Sequence, residues 1–382
     1  MMATDPARAR LATRLAFLAG GYGLAGWAPL VPFAKARLGI DEGVLGLLLL
    51  CLGVGSVLAM GLTGVLSARH GPRPIIVLSG LLMAAATPFL AVAATPLTLA
   101  LALFAFGAGL GSLDVAMNIH AVEVEKGDDK PLMSGFHALF SIGGFAGAGM
   151  VTLLLSLGLS PLICALTSAA VVAGAVFLAW PRLMVSAPAE EGTPLFAVPR
   201  GIVLLLALLA AVTFLTEGAI LDWSALLLTG AGLVPLSQGG VGYIVFALAM
   251  TTGRLVGDAV TARIGDFRTL FWGGIVALAG FGVLLLVPVP VLAISGFVLI
   301  GLGASNIVPV LFRLAGSQTA MPSALAVAAI TTTGYAGILV GPAGVGAVAH
   351  VVGLPAAFWG LAALLALVPL FARVVTASGR EG

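Results

Sequence analysis

From Leu97 to Ala121 the chain reads LTLALALFAFGAGLGSLDVAMNIHA, 25 residues by their numbering with one acidic side chain, Asp114, and no Lys or Arg. At about 1.5 Å per residue a helix of that length covers roughly 37 Å, enough to cross the ~30 Å hydrocarbon core of a bilayer. Its apolar residues run on without the alternation of a barrel strand, and backbone groups in lipid must be satisfied within the segment. The run is therefore a membrane-spanning helix, and it has many counterparts. The composition is 60% hydrophobic and 8% charged, with a mean hydropathy of +1.19, against about 25% charged residues in soluble domains. No water-soluble exterior can be built from so few charges, so lipid is the solvent. The net charge of +2 lends no support to nucleic-acid binding. The expected fold class is an all-α membrane protein.

Charged and Pro/Gly/Asn clusters punctuate the chain into twelve spans near 13–33, 43–67, 74–94, 97–121, 133–157, 161–180, 202–228, 239–262, 269–287, 291–314, 323–349 and 355–373. The stretch from Leu15 to Phe33 is too long for a secretory signal and is read as a retained first helix. Pro181 to Arg200, with Pro188, Pro194, Pro199, Glu190 and Glu191, reads as a polar cytoplasmic linker. It divides the chain into an N-terminal six-helix bundle, 1–180, and a C-terminal one, 201–382. With the N-terminus inside, Arg8, Arg10, Arg14, Arg69, Arg73, Lys126, Lys130, Arg182, Arg200, Arg263, Arg268, Arg313, Arg373 and Arg380 fall on the cytoplasmic side. Only Lys35 and Arg37 fall outside, and with Arg254 inside a span these account for all 17 Lys and Arg (14 + 2 + 1). The positive-inside rule then places both termini in the cytoplasm, in a cell (inner) membrane.

The halves repeat. Asp41-Glu42-Gly43-Val44-Leu45-Gly46 recurs as Ser237-Gln238-Gly239-Gly240-Val241-Gly242, an offset of 196. Ala68-Arg69-His70-Gly71 recurs as Ala262-Arg263-Ile264-Gly265, and Gly107-Ala108-Gly109 as Gly301-Leu302-Gly303, both at 194. Segments recurring in order at one offset near half the chain length point to a parallel duplication.

The loop carrying Gly64, Arg69, Gly71 and Arg73 resembles the G-x-x-x-D-R-x-G-R-R motif of the major facilitator superfamily, with Ala68 and Pro72 replacing its aspartate and one arginine. Gly253, Arg254, Gly257, Asp258, Arg263 and Gly265 look like a fuller counterpart. Gly109-Leu110-Gly111-Ser112-Leu113-Asp114-Val115-Ala116-Met117-Asn118 is similar to a G-L-G-x-L-E-x-A-x-N stretch of fucose-permease-like transporters, which puts Asp114 on that family's coupling carboxylate. Glu217-Gly218-Ala219-Ile220-Leu221-Asp222-Trp223-Ser224 resembles the E-G-A-x-x-D-W-S signature of a bacterial branch that includes the MosC proteins. The resemblance implies two pseudo-symmetric six-helix bundles and alternating access. It does not extend to fucose as substrate, because Ala28 stands where fucose permeases carry an acid four residues before a proline, here Pro32.

An ionised carboxylate at membrane depth costs about 2.5–3.5 kcal/mol on insertion scales, so each one requires a reason. Asp114 and Glu217 are the proton-coupling candidates. Asp114 and Asn118 share a helical face with Gly107 and Gly111, whose missing side chains admit either a ligand or a neighbouring helix. Further substrate-binding candidates are Tyr22, Trp27, His137, Asp222, Trp223, Asn306 and Tyr335. Asp222 either contacts substrate or is hydrated at the rim; Trp223 is either an interfacial anchor or an aromatic wall; Asn306 is either a ligand contact or an interhelical tie. Arg254 and Asp258, spaced to neutralise each other across one turn near the inner end of span eight, form a cytoplasmic gate with Arg263, Arg69 and Arg73. His120, Glu123 and Glu125 are expected to be solvated at the inner end of span four.

No nucleotide, metal or nucleophile motif occurs, so no enzyme activity and no cofactor are expected; Ser134 and His137 lack an acid partner and an oxyanion loop. The expected function is secondary active transport: proton-coupled uptake of a small polar solute such as a sugar or polyol, by a monomer in the bilayer. The alternatives are a proton-driven exporter of amphipathic compounds and a membrane solute sensor that transports nothing.

Overall fold

The computed structural model describes residues 6–40, 42–185, 199–235 and 240–377. Asp41, Ser237 to Gly239, the linker residues Pro188, Glu190, Glu191 and Pro194, and Arg380 lie outside the described residues. Among the described residues every regular element is a helix. The order is α1 (Pro6–Trp27), α2 (Val31–Leu38), α3 (Glu42–His70), α4 (Pro72–Val92), α5 (Pro96–Lys126), α6 (Met133–Ser156), α7 (Pro161–Ala179), α8 (Ile202–Gly230), α9 (Val241–Leu286), α10 (Pro290–Ala304), α11 (Ile307–Ser317), α12 (Ser323–Val352), α13 (Leu354–Leu365) and α14 (Leu367–Ala377). Among the described residues ten helical stretches, one of them formed by α10 and α11 together, are long and apolar enough to cross a membrane. One of them, α9, is broken at Gly265 and supplies two crossings, and α12 contributes a shorter apolar run, Ser323–Ile338. The twelve crossings (10 + 1 + 1) match the spans drawn from the sequence. The protein is a twelve-helix membrane protein.

Local chemistry sets the ends. Proline stands at the first turn of α4, α5, α7 and α10, where its missing N–H is no loss. Thr95 and Thr98 form a reciprocal capping box on α5, and Ser160 accepts from the Ile163 N–H at the start of α7. Arg37 caps the other end of α4: its guanidinium donates to the carbonyls of Leu90 (2.9 Å), Ala91 (2.6 Å) and Ala93 (2.9 Å), groups that a helix C-terminus leaves unpaired.

The helices form two compact units, residues 1–129 with 136–197, and residues 130–135 with 198–382. The segment 130–135, including the first turn of α6, thus groups with the second unit. In each unit large aromatics fill the interior, Phe17, Phe106 and Phe136 in the first and Phe281, Phe297, Phe312 and Phe358 in the second, while Leu47, Leu78, Leu101, Leu204, Leu286 and Val291 point outward. Apolar outsides around glycine-rich contacts are what lipid demands.

The repeat is visible in the backbone. Gly71 has φ 74° and ψ 163°, and Gly265, 194 residues later, has φ 80° and ψ 165°. A Cβ on Gly107 would meet the Leu52 carbonyl, and one on Gly301 would meet the Phe246 carbonyl; Gly109 abuts Ser79 and Met83, and Gly303 abuts Gly273 and Ala277. Every residue in the second set is its first-set partner plus 194. One copy departs from the other: α5 runs unbroken, whereas its counterpart is interrupted at Ser305 and Asn306 between α10 and α11.

Candidate functional site

In the first unit Asp114 is buried in the middle of α5, 8% exposed. The amide of Asn118, one turn on, donates to its carbonyl (2.9 Å) and to its carboxylate (3.3 Å), while the Asn118 Oδ1 is buried without a hydrogen-bond partner. The question left open by Gly107 and Gly111 is resolved in favour of a neighbouring helix. Both lie against the backbone of α3, and Ser56 Oγ donates to the Gly107 carbonyl at 2.8 Å. His137 on α6 sits edge-on to Phe17 on α1 with ring centroids 5.2 Å apart. Tyr22 and Trp27 are both buried, and the Trp27 indole N–H has no hydrogen-bond acceptor.

In the second unit the central feature is an ion pair. Arg254 on α9 donates through Nη2 to both carboxylate oxygens of Glu217 on α8, each at 3.5 Å. Its Nε faces the Ser305 carbonyl at 3.4 Å, at the C-terminal end of α10, where the helix dipole favours a cation. Arg254 lies level with Glu217 because α8 and α9 bring together residues 37 apart in the chain. Asn306, in the break between α10 and α11, donates to the Gly253 carbonyl (3.2 Å) and to Ser305 Oγ (2.9 Å), leaving its Oδ1 buried and unpartnered beside Gly257. Asp222 is exposed on α8, and the half-buried Trp223 lays its ring against Gly346 of α12 with its N–H unpartnered. Tyr335 packs at 6.3 Å on Phe214. Tyr243 on α9 lies within electrostatic range of Glu217, Arg254 and Asp222.

Asp258 occupies a different environment. Its carboxylate accepts from the backbone N–H groups of Ser134 (2.9 Å) and Gly135 (2.7 Å) in the first turn of α6, the end of a helix where a negative charge is favoured. Arg69 is exposed and Arg73 half-buried around the Gly71 turn; Arg263 is exposed beside Gly265.

Sequence comparison accounts for the pattern. The sequence model of the Major Facilitator Superfamily matches residues 15–329. An uncharacterised MFS-type transporter of Yersinia pestis is 49% identical over 367 residues, covering 96% of each chain. The chain belongs to the major facilitator superfamily. Membrane protein MosC of Rhizobium meliloti is 32% identical over 356 residues, covering 92% of this chain and 86% of MosC. A crystal structure of the E. coli fucose:proton symporter superposes with a TM-score of 0.76 over 96% of this chain and 97% of that one, at 16% identity. At that identity the likeness speaks for the fold. This member of the superfamily therefore groups, as its seventh span suggested, with MosC-like relatives, and it is a multi-pass membrane transporter.

Several polar residues of this transporter escaped the sequence reading. His120, expected to be solvated, is fully buried: Nδ1 lies 3.0 Å from Thr13 Oγ1 on α1, and Nε2 accepts from the Met184 N–H at 3.0 Å. Thr13 already donates its hydroxyl proton to Ala9, so the ring carries its own proton on Nδ1. Glu125 is buried too. Arg10 pairs with Asp128 at 2.9 Å, and Arg313 pairs closely with Asp266.

Proposed function

We propose that this transporter couples the uptake of a small polar solute, of the sugar or polyol class, to protons, with Asp114 and Glu217 carrying the exchangeable charge. The carrying observation is the Glu217–Arg254 contact: a carboxylate and a guanidinium, each mostly buried at membrane depth and held at 3.5 Å. A buried pair of this kind contributes little stability for its desolvation cost, and a carboxylate whose partner can be exchanged is suited to binding and releasing a proton as access alternates. Asp114, held by Asn118, is the corresponding acid of the first unit. The likeness to a protein named as a fucose:proton symporter supports this coupling. The solute is taken up by Asn118, His137, Asn306, Asp222 and the aromatics Tyr22, Trp27, Trp223 and Tyr335. Asp258 on the first turn of α6, with Arg254, Arg263, Arg69 and Arg73, serves the cytoplasmic gate. The protein works as a monomer in the inner membrane with both termini in the cytoplasm.

The test is accumulation of radiolabelled sugars and polyols in proteoliposomes under an imposed pH gradient. Accumulation should collapse with a protonophore. Asp114→Asn and Glu217→Gln should each abolish accumulation, while Asp114→Asn keeps solute exchange. Uphill uptake that survives the protonophore, or that persists in both variants, rules the coupling out.

A further inference from the structure

The start of the second crossing of α9 carries side chains that the proposed transport cycle does not use. The helix turns at Gly265 between two crossings, so the residues just after it stand where lipid headgroups meet the hydrocarbon. Arg268 and Trp272, four apart, share one helical face, about 5 and 10 Å along the axis from the turn. Both are exposed, Trp272 by 56%. Phe271 meets Trp272 edge-on with ring centroids 5.3 Å apart and stacks on Phe267 at 5.8 Å, so three rings form one aromatic ledge. The neighbouring α14 adds a second cation. It packs on α9, with Pro369 in the space that a Cβ on Gly274 would fill. As crossings nine and twelve the two helices run antiparallel, so Arg373, one turn beyond Pro369, stands level with Leu270 and within a turn of Arg268. Arg373 is exposed as well, and among the described residues neither arginine has an ion pair or a hydrogen bond.

Two guanidinium groups beside exposed rings at a membrane surface match an anion that brings its own apolar body. The planar fork of an arginine fits phosphate oxygens, and acyl chains would cover the rings together with the outward Leu370 and Val374 of α14. We propose that the seam between α9 and α14 binds one anionic phospholipid. Its phosphate is held between Arg268 and Arg373, and its glycerol and first chain carbons lie along Phe267, Phe271 and Trp272. A zwitterionic lipid, whose phosphate carries its own ammonium, competes poorly for two cations. The first unit lacks the combination. The residues 194 positions before Arg268, Phe271 and Trp272 are Pro74, Val77 and Leu78. Rings do recur at the end of α7, where Phe177 and Trp180 lie 6.3 Å apart, but the guanidinium of the adjacent Arg182 already donates to the Leu178 carbonyl. The site stands apart from the identity of the solute, the coupling proton and the orientation of the chain.

The experiment uses the full-length protein in phosphatidylcholine proteoliposomes and follows tryptophan fluorescence while a lipid with brominated chains, a contact quencher, replaces a small part of the matrix. The emission belonging to Trp272 is the difference between the wild type and Trp272→Phe. Brominated phosphatidylglycerol is expected to quench that share at a mole fraction at least tenfold lower than brominated phosphatidylcholine does. An arginine near an anionic headgroup is worth about fivefold in affinity, so Arg268→Gln/Arg373→Gln should weaken the phosphatidylglycerol response roughly twentyfold and leave the phosphatidylcholine response unchanged. Arg8→Gln/Arg14→Gln, which removes the same charge from exposed positions of the first unit, should respond as the wild type does. Equal quenching by the two lipids in the wild type overturns the site, as does a phosphatidylglycerol preference that survives in Arg268→Gln/Arg373→Gln. A preference lost to the same extent in Arg8→Gln/Arg14→Gln overturns it too, since it then belongs to the charge of the whole surface. Inorganic phosphate at millimolar concentration should leave the quenching in place; its loss would assign the arginines to a free ion instead of a headgroup.

Discussion

His120 is held from both ring nitrogens, by Thr13 on α1 and by the Met184 amide where the chain leaves α7. Removing the ring strands the part-buried Met184 N–H. His120→Ala should therefore cost about 1–3 kcal/mol, seen as a lowered melting temperature, and His120→Gln should recover part of the loss if its carbonyl reaches the Met184 N–H. Arg37 poses a parallel case with a different geometry. Three carbonyls at the end of α4 converge on one guanidinium, and hydrogen bonds to charged groups are each worth about 1.5–3 kcal/mol. Arg37→Ala should lower the melting temperature more than Arg37→Lys, whose single ammonium cannot match the fork. Neither role was legible in the sequence. His120 reads as a solvated residue near a helix end and Arg37 only as a charge on the outside, because their partners lie 64 and 53 or more residues away and nothing local marks them.

At the scale of an element, glycines inside helices are not interchangeable. Gly61, in the interior of α3, has open space where a Cβ would go, whereas Gly107 on α5 has the Leu52 carbonyl there. Gly61→Ala should stabilise by about 0.5–1 kcal/mol through helix propensity, and Gly107→Ala should destabilise by about 1–3 kcal/mol through overpacking. Thermal unfolding of the two variants side by side tests the contrast. Apolar length alone revealed where the helices lie, since a span is set by bilayer thickness and the sequence meets that demand residue by residue. The same hydropathy is silent about which face of α5 is packed. Gly107 and Gly111 left ligand and helix equally open, and only the approach of α3 decided between them. The interruption between α10 and α11 was invisible for a similar reason: Ser305 and Asn306 are tolerated in an apolar run whether or not the helix continues.

Across the whole molecule, the offset of 194 residues recurs in sequence, in backbone angles at Gly71 and Gly265, and in the contacts of Gly107, Gly109, Gly301 and Gly303. The charge count predicts that reporter fusions after Arg373 and ahead of α1 are both active in the cytoplasm, and that a periplasmic reporter is active only in outer connections such as the one holding Lys35. A periplasmic signal from either terminus would refute the orientation. The ion pair of the second unit has no such duplicate: the residues 194 positions before Glu217 and Arg254 are Gly23 and Met60, so the repeat could not have indicated it. The jointed copy of the duplicated helix has one last implication. A continuous rod such as α5 must tilt as a whole, whereas α10 and α11 can pivot at Ser305, next to the guanidinium that Glu217 faces. The backbone amides of Ile307 and Val308 should thus trade hydrogen for deuterium sooner than those of Leu113 and Asp114, and the two ancestral copies, alike in packing, would then differ in which one bends.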